Sequence, residues 1–155
     1  MKYRRLGRSG LEVSAIGLGT NNFGTRRVHP FHKGPEVAAA VIDRALDLGI
    51  NLVDTANTYG DGKSEEYIDR ALKGKHHQAI IATKVSNPRG DGPNQAGNSR
   101  QHIMAEVEGS LRRLDTDYID LYQLHMRDVQ TPMEEPLRAL ENLVRDGKVR
   151  YLGCS

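Results

Sequence analysis

Residues 118–125 read Tyr-Ile-Asp-Leu-Tyr-Gln-Leu-His, and residues 148–153 read Lys-Val-Arg-Tyr-Leu-Gly. Both runs are short and rich in Ile, Leu, Val and Tyr, as the buried strands of a parallel sheet are. Between them, Thr131-Pro132-Met133-Glu134 has the form of a capping box with proline at the first helical position. The helical run continues through Leu137, Leu140 and Leu143 to Gly147. The segment therefore reads as a β-α-β unit, whose crossover is right-handed and joins parallel strands.

The same alternation extends towards the N-terminus. Strands are expected at Ser14–Leu18, Asn51–Asp54 and Ala79–Lys84. Pro35 opens a helix with Val37, Val41, Ile42, Ala45 and Leu46 on one face and Gly49 as its stop. Ser64 is expected to cap a second helix, which carries Glu65 and Glu66 in its first turn and ends at Gly74. Ser99 caps a third, with Ile103, Val107, Leu111 and Leu114 on one stripe. Ahead of all these, Tyr3–Leu6 and Glu12–Val13 flank the turn signal Gly7-Arg8-Ser9-Gly10, which predicts a small antiparallel hairpin. The expected order is a hairpin followed by five strands alternating with four helices, an α/β fold with a parallel sheet. Two long loops, Asn21–Gly34 and Ser86–Asn98, are the places where such a fold carries function.

Composition narrows the functional classes. With 22 Lys and Arg against 20 Asp and Glu, the formal charge of +2 gives no polybasic surface for nucleic acid. No apolar run approaches the ~18 residues of a membrane span, and Met1-Lys2-Tyr3-Arg4-Arg5 is not followed by a signal-peptide core. One cysteine, Cys154, rules out an internal disulfide framework and suits a reducing cytoplasm. A complete eight-stranded α/β barrel takes ~200 residues or more, and 155 are too few.

Three ligand motifs fail on inspection. Gly17-Leu18-Gly19 follows a strand, but the third glycine of a dinucleotide fingerprint would fall on Asn22. The run 57–64 ends in Gly-Lys-Ser like a phosphate loop, yet begins with Asn57, and Tyr59 and Asp61 would crowd and repel a phosphate. The six histidines match no zinc spacing: His76 and His77 follow a helix stop and are expected to be solvated, and His29 and His32 read as polar loop residues.

A positional pattern remains. Sites in parallel α/β folds form at the C-terminal ends of the strands. There the sequence places Gly19-Thr20, Asp54 with Tyr59 in the loop beyond it, Lys84, His125 and Cys154-Ser155. Strand alternation puts Leu52, Ile80, Ala82, Ile119, Leu121 and Gln123 on the same inner face as Asp54, Lys84 and His125. Any one of these polar residues could merely close a sheet end, but four titratable groups on one rim argue for a site. Asp54 would keep Lys84 charged and in place, and a cationic Lys84 beside Tyr59 makes the phenol a readier proton donor. That chemistry suits reduction of a carbonyl, in which an alkoxide develops as hydride arrives. No side chain supplies hydride, so a nicotinamide-type cofactor is implied.

These residues resemble the aldo-keto reductases, of the general bacterial type that also resembles potassium-channel β subunits. The likeness is carried by Gly17-Leu18-Gly19-Thr20, Asp54-Thr55-Ala56 with Tyr59-Gly60, Ser64-Glu65, Thr83-Lys84, Ser110-Leu111 with Leu114, Asp117–Gln123 with His125, and Gly147–Tyr151 with Gly153 and Ser155. The resemblance implies the N-terminal part of a (β/α)8 barrel, a single domain over 1–155 that stops at the fifth barrel strand. It also implies a catalytic tetrad of Asp54, Tyr59, Lys84 and His125, with Tyr59 the proton donor and NADPH reducing an aldehyde or ketone. Cofactor contacts are implied at Gly19, Thr20, Asp54 and Ser155, and no metal. Asn21-Asn22 stand where many members carry a Trp, which predicts a more polar substrate wall. The alternative readings are a non-catalytic redox-sensing or interaction module of channel-subunit type, and a half-barrel scaffold that self-associates. A sheet with two free edges and an open inner face is expected to be covered by self-association, by a complementary fragment or by its own long loops.

Overall fold

The computed structural model describes residues 1–25 and 30–155, so His29 lies outside the described residues. The hairpin forms as expected, β1 (Tyr3–Arg5) against β2 (Glu12–Ser14), antiparallel. Five parallel strands then follow in chain order: β3 (Leu18–Gly19), β4 (Leu52–Asp54), β5 (Ile80–Val85), β6 (Ile119–Leu124) and β7 (Val149–Cys154). The crossovers between them carry α1 (Pro35–Asp47), α2 (Lys63–Leu72), α3 (Arg100–Arg113) and α4 (Glu134–Arg145). Among the described residues no helix is long and apolar enough to cross a membrane.

The core lies between the helices and the outer face of the sheet. Val53, Ile81, Val85 and Tyr122 are buried there with Ile42, Ile68, Ile103, Val107, Leu140 and Leu143. Ile119, expected on the inner face, belongs to this core instead. The alternation breaks at Asp120, whose carboxylate accepts the Ile81 N–H at 3.0 Å in place of a ladder bond. Burial raises the pKa of that carboxyl, against the opposing hydrogen bond.

Several local expectations are corrected. The first parallel strand is only Leu18–Gly19, because Ser14 closes the hairpin and accepts from Asn51 N through its hydroxyl. Ser64 does not cap α2. It lies inside the helix, fully buried, with its hydroxyl accepting from Thr55 Oγ1 at 2.9 Å and facing Thr20 Oγ1 at 2.8 Å. Thr131 does not cap α4; its hydroxyl donates to Asp128 instead. Ser99 does cap α3, accepting from His102 N at 3.2 Å. The buried face of α1 is Ala38, Ile42 and Ala45, leaving Val37 and Val41 exposed, and Leu137 of α4 is exposed as well. His76 is not solvated: it is half-buried against the Tyr118 ring, whereas His77 is exposed.

The inner face is partly covered. Ala82 and Leu121 are buried, and the hairpin turn Leu6–Ser9 stands across from Leu121, Gln123 and Tyr151 around a groove of about 490 Å³.

Candidate active site

Sheet register sets the rim. Gly19 pairs with Asp54, Asp54 with Ala82, and Lys84 with Gln123. Lys84 thus stands two residues beyond Asp54's neighbour on the same face, close enough for its side chain to reach the carboxylate. Its Nζ donates to Asp54 Oδ2 at 2.7 Å and to the Thr55 carbonyl at 2.8 Å. Lys84 is 4% exposed whereas the Asp54 side chain is 37% exposed, so the pair is dry on one side and wet on the other. Gln123, the next inner residue of β6, donates to the other carboxylate oxygen, Oδ1, at 3.3 Å.

Tyr59 enters from a tight 3₁₀ turn, Tyr59–Gly62. Two consecutive residues in it, Gly60 at φ 57 and Asp61 at φ 59, are left-handed. Glycine is required at 60, because a Cβ there would collide with the Phe23 carbonyl and lie 2.8 Å from Gly24 Cα. Asp61 tolerates the same conformation better than most residues and is tied down by Arg89, whose Nη1 donates to it at 2.8 Å. The turn lays the Tyr59 ring 5.1 Å from Lys84 Nζ and edge-on to His125, 5.7 Å between centroids. The structure thus brings Asp54, Tyr59, Lys84 and His125 together.

His125 follows the last residue of β6, and its N–H donates to the Val85 carbonyl at 2.8 Å. Burial is the main cause that lowers the pKa of the ring, and the Lys84 cation adds to it against the pull of Asp54. At neutral pH the imidazole is therefore uncharged. Asn87 Nδ2 lies 3.2 Å from its Nδ1.

The residues read as cofactor contacts are placed differently from one another. Gly19 is exposed with open space where a side chain would be, and Ser155 is exposed at the end of β7. Thr20 is fully buried, its hydroxyl donating to the Asp54 carbonyl at 2.9 Å. Among the described residues no group of three or more His, Cys, Asp or Glu is arranged to hold a metal ion. His32 is buried in its loop, with Nδ1 3.1 Å from the Thr25 carbonyl. Two residues join the expected four: Gln123, whose strand parity with His125 puts it on the same face, and Asn87, whose one signal in the sequence is its place in the long loop Ser86–Asn98.

The C-terminal rim of the parallel sheet thus carries a lysine–carboxylate pair, a tyrosine and a histidine within reach of one another. The chain belongs to the aldo/keto reductase family, whose model matches residues 15–155. It is 41% identical to Aldo-keto reductase YhdN of Bacillus subtilis, over 100% of this chain and 47% of that protein. It is 36% identical to a probable voltage-gated potassium channel subunit beta of Oryza sativa, over 100% of this chain and 46% of that one. Among solved structures, it is similar to aldo-keto reductase AKR11C1 from Bacillus halodurans in its holo form. That match has a TM-score of 0.88 at 41% identity, covering 100% of this chain and 50% of that chain. The chain spans about half the length of the curated relatives it matches.

Proposed function

We propose that this rim reduces an aldehyde or ketone to an alcohol with NADPH, and that Tyr59 is the proton donor. The observation that carries the reading is the position of Lys84 Nζ, bonded to Asp54 and the Thr55 carbonyl and 5.1 Å from the Tyr59 ring. As the substrate oxygen takes on negative charge, the Tyr59 hydroxyl hands it a proton, and the adjacent ammonium stabilises the phenolate left behind. Asp54 and the Thr55 carbonyl hold that ammonium in place. His125, neutral for the reasons above, donates a hydrogen bond to the same oxygen and gives no proton.

The residues present fit the nicotinamide end of such a cofactor. The backbone at Gly19 is open and the Ser155 hydroxyl is exposed, and both lie at strand ends on the rim that carries Asp54. These three would hold it, with buried Thr20 fixing the shape of the first loop through Asp54 and Ser64. When bound, the nicotinamide supplies the hydride. The single exposed thiol, Cys154, supports a reducing, cytoplasmic setting. A second reading, a non-catalytic redox-sensing module, is favoured only by the likeness to the rice channel subunit.

Turnover separates the two. The chain, supplied with the C-terminal half of the Bacillus subtilis relative, should oxidise NADPH on addition of a small aldehyde. Tyr59→Phe should slow that reaction ~100-fold to 10,000-fold, as loss of a general acid does, with little change in NADPH affinity. Near-full activity in Tyr59→Phe would remove Tyr59 from the role.

A further inference from the structure

This inference deepens the reductase reading and rests on it. Asn87 Nδ2 and His125 Nδ1 are 3.2 Å apart. An amide nitrogen only donates, and the Asn87 amide is set with that nitrogen towards the ring, an arrangement in which the facing ring nitrogen accepts and carries no proton. The proton of the neutral ring then belongs on Nε2. We propose that Asn87 is a positioning residue that locks His125 in its Nε2–H tautomer, so that this N–H is offered to the substrate oxygen.

The contact is built rather than incidental. Asn87 follows Ser86, a non-glycine residue at φ 144, outside the regions open to side chains with a Cβ. Such a conformation persists only where its surroundings over-determine it, and it clusters at functional sites. Here the Ser86 hydroxyl supplies the constraint. It accepts from the backbone N–H of His125 at 3.1 Å and of Met126 at 3.3 Å, and donates to Asn98 Oδ1. Asn98 in turn donates to the Met126 carbonyl at 2.9 Å. The corner that presents the Asn87 amide is thus bonded to the backbone of the very residue whose ring the amide meets.

Among the described residues, the titratable and charged groups facing that ring are Asp54 on β4, Tyr59 in the turn and Lys84 on β5. Protonation at Nδ1 would set donor against donor at Asn87 and add a cation beside Lys84. Burial and Lys84 both lower the His125 pKa, which agrees with a ring kept neutral. With its amide nitrogen towards that neutral ring, Asn87 favours the Nε2–H tautomer over the Nδ1–H one.

The test reads the ring directly. Long-range proton–nitrogen spectra of the ¹⁵N-labelled chain, above the pH at which His125 titrates, should show Nε2 protonated and Nδ1 bare. Asn87→Ala should release the ring to a mixture of tautomers. Asn87→Asp places a carboxylate at the same spot, moves the proton to Nδ1 and raises the titration midpoint by ~1–3 pH units. In the reductase assay, the acid limb of kcat against pH in Asn87→Asp should move up with it while KM for NADPH holds. A wild-type ring protonated on Nδ1 would overturn the proposal, and that spectrum decides even where a variant fails to fold. Variants that leave both tautomer and midpoint unchanged, or a pH profile that stays put while the ring shifts, would overturn it equally. Absence of reductase activity alongside a wild-type Nε2–H ring would defeat the proposed function but not the tautomer assignment.

Discussion

Replacing Lys84 with methionine keeps most of the side-chain volume and removes the charge on which the rim is organised. At 2.7 Å the Lys84–Asp54 pair is worth ~6 kcal/mol in Coulomb terms at an effective dielectric of ~20, before desolvation is subtracted. Water reaches the Asp54 side chain, which is 37% exposed, so most of that is already spent on screening. The expected loss from the pair is ~1–2 kcal/mol. The buried Thr55 carbonyl loses its lysine donor too, which adds ~1 kcal/mol. Urea unfolding at pH 7 should therefore find Lys84→Met less stable by about 2–3 kcal/mol. A second readout is specific to the site. Burial lowers the His125 pKa first and the Lys84 cation second, so losing the cation must raise it. A variant within ~0.5 kcal/mol of wild type, the usual range for an inconsequential surface change, with His125 titrating where it did, would refute the pairing on which the site rests.

Gly60→Ala forces a Cβ into the Phe23–Gly24 backbone at a left-handed position, and should cost ~2 kcal/mol or more by thermal unfolding while dislodging Tyr59. Asp128 has its pKa pushed down to about 2, first by the Thr131 hydroxyl and then by the Asn98 and Gln130 N–H groups. A depressed carboxylate stabilises the fold above the unfolded value of ~3.9 and loses that contribution as pH falls towards about 2. Acid titration by circular dichroism should show Asp128→Asn lacking that part of the pH dependence. His125 works in the same direction at higher pH: its lowered pKa makes the fold most stable above ~6.5 and progressively less so below, a slope that His125→Gln should remove.

The alternation of strands and helices was legible because each strand is a compact apolar run and each helix is punctuated by Pro, Ser or Gly. The rim was legible for the same reason: parity from Lys84, Asp54 and His125 is a local property of a strand. Misreadings came where tertiary contact overrode local chemistry. Ser64 has a cap's identity, but Thr20 and Thr55 recruit its hydroxyl inside the core. Thr131 opens a capping box in sequence, yet Asp128 takes its hydroxyl. Ile119 departs from parity because Asp120 replaces a backbone bond with a side-chain one. Asn87 and the Asp61–Arg89 tie depend on two loops meeting in space, which no periodicity reports.

The measurement that tests the central claim most directly is transfer of deuterium to benzaldehyde from NADPH carrying two deuterons at the nicotinamide C4, followed by mass spectrometry. The chain is assayed with the C-terminal half of its Bacillus subtilis relative, as wild type and as Tyr59→Phe. The account predicts benzyl alcohol carrying one deuterium from wild type and at least ~100-fold less from Tyr59→Phe. Unlabelled product, no product from an assembly shown to bind NADPH, or equal yields from the two proteins would contradict it.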